Sequence, residues 1–208
     1  MPSTVVHLAL AGLLAACLLG EAFDRRAVAV VLLVTIVPDL DVFASLLVPG
    51  THRAALHSLL IPAVVGGALY YDTRVRDRSA ALDRWGRRGV RVAWVSVAAY
   101  AVAGIGLDLV TGGANPLYPL HDQFYRVNGE FIVSSRRGLV QTFVEIGGGV
   151  QPKAMGSTGE VHVGSGVDPN RGKEPANVDR IFPVVQSGWQ LLLVVTSVFV
   201  LGTRFREQ

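Results

Sequence analysis

Two carboxylates and two imidazoles stand close together in Pro38-Asp39-Leu40-Asp41 and in His52-Arg53, with His57-Ser58 following five residues on. A mixed set of nitrogen and oxygen donors suits zinc, manganese or iron better than calcium, which prefers a shell of oxygen alone. An ion held this way lowers the pKa of a bound water to near 7 and delivers hydroxide to an electrophilic ester, so the chemistry implied is hydrolysis. His7 and Asp108 complete the candidate ligand set, which is His7, Asp39, Asp41, His52, His57 and Asp108. With two or more ions the acids can bridge them while one acts as base, a catalytic role assigned here to Asp41. Arg53 is the second catalytic candidate, a bidentate fork for an anionic substrate oxygen. Each residue also has a plainer reading. His7 could be a helix–helix hydrogen bonder, Asp108 could bond Thr111, His52 could sit in a wet turn, and Arg53 could snorkel to lipid headgroups.

The setting gives these residues weight. Half of the 208 residues are hydrophobic and the mean hydropathy is +0.42, more apolar surface than one soluble core needs. The chain reads as an all-α, polytopic transmembrane bundle of about five spans, in which an ionisable group is costly and marks a function. The formal charge of +3 does not imply nucleic acid, because the arginines concentrate between two apolar runs, where topology explains them. Cys17 is the single cysteine, so no intrachain disulfide forms. Leu14-Ala15-Ala16-Cys17 matches a lipoprotein cleavage box, but no basic residue precedes it and the apolar run continues beyond, so the segment reads as uncleaved.

The elements that must position the site follow in order. The first apolar run is 4–19 and the second is 27–37, ended or kinked by Pro38. That break matters, because Asp39 and Asp41 would point about 200° apart on a regular helix. The third run, 54–71, carries His57 in its first turns and a kink at Pro62, while His52 belongs to the preceding turn. The polar segment 72–91 reads as a cytoplasmic loop, since it holds Arg74, Arg76, Arg78, Arg84, Arg87, Arg88 and Arg91. Runs four and five are 92–110 and 182–201, each long enough for a hydrocarbon core.

With five spans, that loop sets the N-terminus and 112–181 outside and the C-terminal tail inside, so all six candidate ligands fall at the outer ends of their segments. Three parts result: a membrane core, 1–120; an extracytoplasmic loop region, 121–181; and a last helix with a basic tail, 182–208. In the loop region, 124–133 carries a hairpin signal at Asn128-Gly129, and 147–180 is a Gly-rich stretch without period. Arg136-Arg137 reads as a solvated loop, and Trp189 and Tyr118 as interfacial aromatics.

The order of His7, Pro38-Asp39-Leu40-Asp41, His52-Arg53, His57-Ser58-Leu59-Leu60, and Asp108 with Thr111 and Pro116-Leu117-Tyr118-Pro119 resembles the YdjM-type membrane-bound metal-dependent hydrolases over about 3–120. The resemblance implies an all-helical integral membrane protein with a divalent-metal site and hydrolase activity, its substrate undefined. That family commonly carries a histidine four residues before the acid of the fourth helix, where this chain has Gly104. Either His121 substitutes from the loop, or fewer ions bind, or the fold persists without the chemistry. The expected cofactor is zinc or manganese, and the expected partners are the bilayer and a lipid or other phosphoester. A metal-binding scaffold or transporter is the rival reading.

Overall fold

The computed structural model describes residues 2–142, 153–172 and 176–207. Helix α1, Thr4–Leu18, packs against α2, Arg25–Ile36, and against α7, Gly188–Arg206; α2 also packs against α5, Ala80–Ala99. The shared core is built largely from small residues, including Ala11, Ala15, Ala16, Ala27, Ala99 and Ala103, around Leu19 and Val31. Small side chains let helix backbones approach closely, which is how helices associate where lipid supplies no hydrophobic drive. Gly12 shows the limit of that approach, since a Cβ there would stand 2.8 Å from Ser197 Oγ.

Helix α7 shows its solvent most plainly. Its buried residues are Gln190 and Ser197, whereas Leu192 is 67% and Phe199 69% exposed. A helix with polar groups inward and bulky apolar groups outward belongs in lipid. Three helical stretches are long and apolar enough to cross a membrane: 25–45, 80–111 and 188–206. The 15-residue α1 and the 11-residue α4, Leu60–Tyr70, are shorter. At 1.5 Å per residue, α1 reaches about 22 Å against a core of about 30 Å.

Pro38 breaks the second run as expected. After α2 the chain makes a 3-10 turn at Pro38–Leu40 and resumes as α3, Asp41–Ser45. The third run departs from expectation, because 54–59 is not helical and α4 starts only at Leu60. Leu59 N–H bonds to Pro116 O at 2.8 Å and the Ser58 hydroxyl accepts from Leu60 N–H at 3.3 Å, so this stretch serves a loop contact. Pro62 consequently lies in the first turn of α4, where a proline is tolerated, and marks a start instead of a kink.

The arginine-rich segment is also more ordered than a loop. After a π-helical turn at Tyr71–Val75, α5 begins at Ala80, with Gly86 at φ 64° interrupting it. Ser79 caps this helix by accepting from Leu82 N–H at 3.1 Å, and Asp72 accepts from Ala80 and Ala81 N–H. Together these bonds satisfy the orphan donors of the first turn. Toward its other end, α5 passes into a π-helical stretch, Tyr100–Gly106, before α6, Leu107–Thr111.

Strands β1, Phe124–Arg126, and β4, Lys153–Gly156, pair antiparallel, as do β2, Phe131–Ser134, and β3, Gly138–Gln141. The hairpin is therefore β2–β3, turning through 135–137, and not 124–133 about Asn128-Gly129. Gly138 at φ 68° supplies the left-handed residue that a three-residue turn requires, and the Ser134 hydroxyl accepts from Arg136 and Arg137 N–H. Of the Gly-rich stretch 147–180, residues 147–152 and 173–175 lie outside the described residues. Its remainder holds β4 and irregular chain.

Candidate metal centre

The three imidazoles of the candidate set are each held by the ring nitrogen nearer the backbone. His7 Nδ1 donates to Ala103 O at 2.6 Å. That carbonyl lies in the π-helical stretch, where widening the helix frees backbone acceptors, and such stretches recur at functional sites. His57 Nδ1 donates to Asp41 Oδ2 at 2.8 Å, and His52 Nδ1 to Asp41 Oδ1 at 2.9 Å. Holding Nδ1 in this way turns Nε2 outward as a lone-pair donor, the arrangement that orients imidazoles toward metal ions.

The Nε2 atoms of His7 and His57 converge on Asp108. His7 Nε2 is 3.5 Å from Asp108 Oδ1, and His57 Nε2 is 2.9 Å from Asp108 Oδ2 and 3.9 Å from Asp39 Oδ1. Donor atoms of His7, Asp39 and Asp108 all lie within 4.8 Å of one another and form a group that could hold a metal ion. His57 Nε2 and Asp108 Oδ2 are both buried and neither makes a hydrogen bond. With its Nδ1 proton turned to Asp41, His57 directs a lone pair at the lone pair of a carboxylate, and a cation or a proton must stand against both. The donor set and these two unpartnered atoms fit a divalent ion.

Asp41 stands behind the imidazoles. It is fully buried, both of its oxygens are taken by histidines, and Oδ2 also accepts weakly from Leu56 N–H at 3.4 Å. Arg53 is likewise turned inward and 3% exposed. Its Nη2 donates to Asp108 Oδ1 at 2.5 Å and its Nη1 to Gly113 O at 3.3 Å. Its backbone holds φ 62°, a left-handed conformation that a non-glycine residue adopts at a cost of roughly 1–3 kcal/mol. The bond from Asn115 N–H to Arg53 O at 2.8 Å helps to hold it there.

His121 and Gly104 complete the placement. His121 is exposed, and its Nε2 lies 2.7 Å from the Tyr125 hydroxyl, on which the ring also stacks. Gly104 lies in the π-helical stretch, and a Cβ there would come within 2.9 Å of Pro38 Cγ. A side chain at 104 would meet the kink that carries Asp39. On a regular α-helix a residue one turn before Asp108 would face the same point, but this stretch is π-helical.

Thr4 was not anticipated. Its hydroxyl donates to Asp39 Oδ2 at 2.6 Å, from one turn before His7 on α1. The i, i+3 spacing was legible, but nothing indicated which face of α1 meets Pro38. Tyr100, whose hydroxyl donates to Leu56 O at 2.6 Å, was missed as well.

Asp39, His52 and Arg53 line a cavity of about 450 Å³ together with Val42, Ile181 and Phe182. The model of the YdjM inner membrane protein family matches residues 1–167. The chain belongs to the YdjM family. The YdjM match takes in every candidate ligand and stops before α7. No curated protein and no solved structure matches the chain.

Proposed function

We propose that this YdjM-family protein is a membrane-bound, metal-dependent hydrolase of phosphoester or other ester bonds at the outer face of the membrane. The observation that carries this reading is the buried, unpartnered pair His57 Nε2 and Asp108 Oδ2, 2.9 Å apart beside His7 and Asp39. His7, His57, Asp39 and Asp108 would hold the ion, and two nitrogens with carboxylate oxygens favour zinc or manganese. When bound, such an ion supplies a water of lowered pKa and polarises an ester oxygen.

The chain's own residues do the rest. Asp41 acts as a positioning residue that sets two imidazoles at once, and Arg53 steadies Asp108 by offsetting its charge. His52 lines the cavity and offers its remaining nitrogen to an occupant. A lining that mixes polar and apolar side chains suits an ester that carries an apolar group, as a lipid does. Five spans, with the N-terminus outside and the arginine-rich segment in the cytoplasm, would open this cavity to the outer face.

In the rival reading, a metal-binding scaffold or transporter, the same ligands hold an ion without turnover. Metal analysis of the detergent-purified protein, taken together with turnover, separates the two. Zinc or manganese should co-purify and be lost in Asp39→Ala and His57→Ala, and hydrolysis of an aryl phosphodiester should stop on chelation and return with the ion. Metal without turnover on phosphodiesters and carboxyl esters would leave the scaffold. Absence of metal after reconstitution would refute both the site and the hydrolase.

A further inference from the structure

At the end of the bundle opposite the metal centre, a groove of about 690 Å³ runs between the C-terminal end of α1, the turn after α4 and the length of α5 from Leu82 to Ala98. Three arginines line it: Arg74 from the π-helical turn, and Arg87 and Arg91 one turn apart on α5. The rest of the lining is largely apolar, with Leu82 before the two α5 arginines and Trp94, Val95 and Ala98 after them along the helix. One groove thus joins a triply cationic mouth to an apolar trough beside an indole.

The neighbouring acids do not neutralise that mouth. Asp72 pairs with Arg76, Asp83 with Arg78 and Asp24 with Arg88, each an arginine outside the groove. Arg91 spends its Nε on Leu18 O at 2.9 Å, and among the described residues its terminal nitrogens make no hydrogen bond or ion pair. Neither Arg74 nor Arg87 makes an ion pair or side-chain hydrogen bond among the described residues. Topology accounts for arginines at a membrane face, but not for three of them in one concavity while Arg76, Arg78 and Arg88 are paired outside it.

We propose that this groove binds one anionic phospholipid, its phosphate between Arg74, Arg87 and Arg91 and an acyl chain along Trp94 toward Ala98. Guanidinium groups match phosphate oxygens as forks, and basic pockets between membrane helices collect anionic headgroups. An apolar trough continuing from a cationic mouth matches an amphiphile better than a free anion. The site is separate from the metal centre and does not depend on the hydrolase reading.

Two measurements on the full chain test this. In a Trp85→Phe/Trp189→Phe background, Trp94 is the remaining tryptophan, and lipid with brominated acyl chains quenches indole on contact. At equal mole fraction in neutral detergent micelles, brominated phosphatidylglycerol should quench Trp94 at least threefold more strongly than brominated phosphatidylcholine, and glycerol phosphate in excess should not relieve it. Equal quenching by the two lipids would overturn the proposal. Relief by glycerol phosphate would assign the arginines to a soluble phosphate instead. In the second measurement, Arg74→Gln/Arg87→Gln should weaken binding of a fluorescent phosphatidylglycerol about tenfold or more, while Arg136→Gln/Arg137→Gln, of equal charge change in the β2–β3 turn, leaves it within twofold. Equal loss in both variants would mean attraction to net charge, not a site. The quenching contrast decides the matter alone if the first variant fails to fold.

Discussion

Asp41 carries the heaviest assignment of any single residue, since one carboxylate fixes both His52 and His57. Asp41→Asn keeps the size but offers only one acceptor oxygen, so one imidazole loses its orienting partner. Metal affinity should fall by about 10–100-fold, the usual cost of losing such a partner, with the fold retained. Isothermal titration of the apo protein with zinc or manganese, beside circular dichroism, checks this; unchanged affinity would remove Asp41 from its role behind the site. Arg53 should behave differently. Arg53→Met leaves Asp108 buried without its cation, so it should destabilise by about 3–5 kcal/mol in thermal or denaturant unfolding, less if a bound ion takes over that charge. A variant as stable as the wild type without metal would show that Asp108 is not charged in the apo protein.

The elements turn on how helices are interrupted. Gly104 lets the π-helical stretch lie on Pro38, and a Cβ 2.9 Å from Pro38 Cγ forces one of them to move. Gly104→Ala should therefore destabilise by about 1–3 kcal/mol, and Gly104→His should disrupt the site instead of restoring a ligand. Melting temperature and bound metal, measured on both variants, decide it; tighter metal binding by Gly104→His would show that the stretch can turn its side chain toward the site. The start of α5 is pH-sensitive in a known direction. The Ser79 hydroxyl, the Ala81 and Ala80 amides and Arg76 together hold Asp72 at about 2, below its ordinary 3.8. A lowered acid stabilises above its unfolded value, and that contribution is lost as pH falls through about 4 to 2. The acid-induced loss of helicity over this window should be smaller in Asp72→Asn, by far-ultraviolet circular dichroism.

For the whole molecule, the structure gathers the two chemistries at opposite ends. Asp24, Arg88 and Arg91 meet at one end, where Arg204 also reaches Gly20 O at 3.3 Å, and the histidines and acids meet at the other. If the arginine end is cytoplasmic, a cysteine at the exposed Asp77 should resist an impermeant thiol reagent in intact cells, and one at the exposed Ala176 should be labelled. Both belong in a Cys17→Ser background. The opposite labelling pattern would invert the protein and turn its metal centre toward the cytoplasm.

Much of this was decided by residue type alone. Apolar runs without charge must lie in lipid, Pro38 must break the helix before it, and the mixed donor set pointed to a divalent ion before any distance was known. These are local or compositional properties, so they survive without knowledge of neighbours. The hairpin was misplaced because Asn128-Gly129 marks a turn but does not choose strand partners; β1 found β4, beyond the next hairpin. The arginine-rich segment looked like a loop because its cap depends on Asp72 folding back from the previous helix. Within the site, spacing could nominate Asp39, Asp41 and Asp108 but could not distinguish them. Only packing determined that Asp41 faces Nδ1 of two imidazoles while Asp39 and Asp108 lie on the Nε2 side. The reason is that a carboxylate's role is set by which atoms meet it, and those atoms come from α1 and from 52–57, whose approach no single segment encodes.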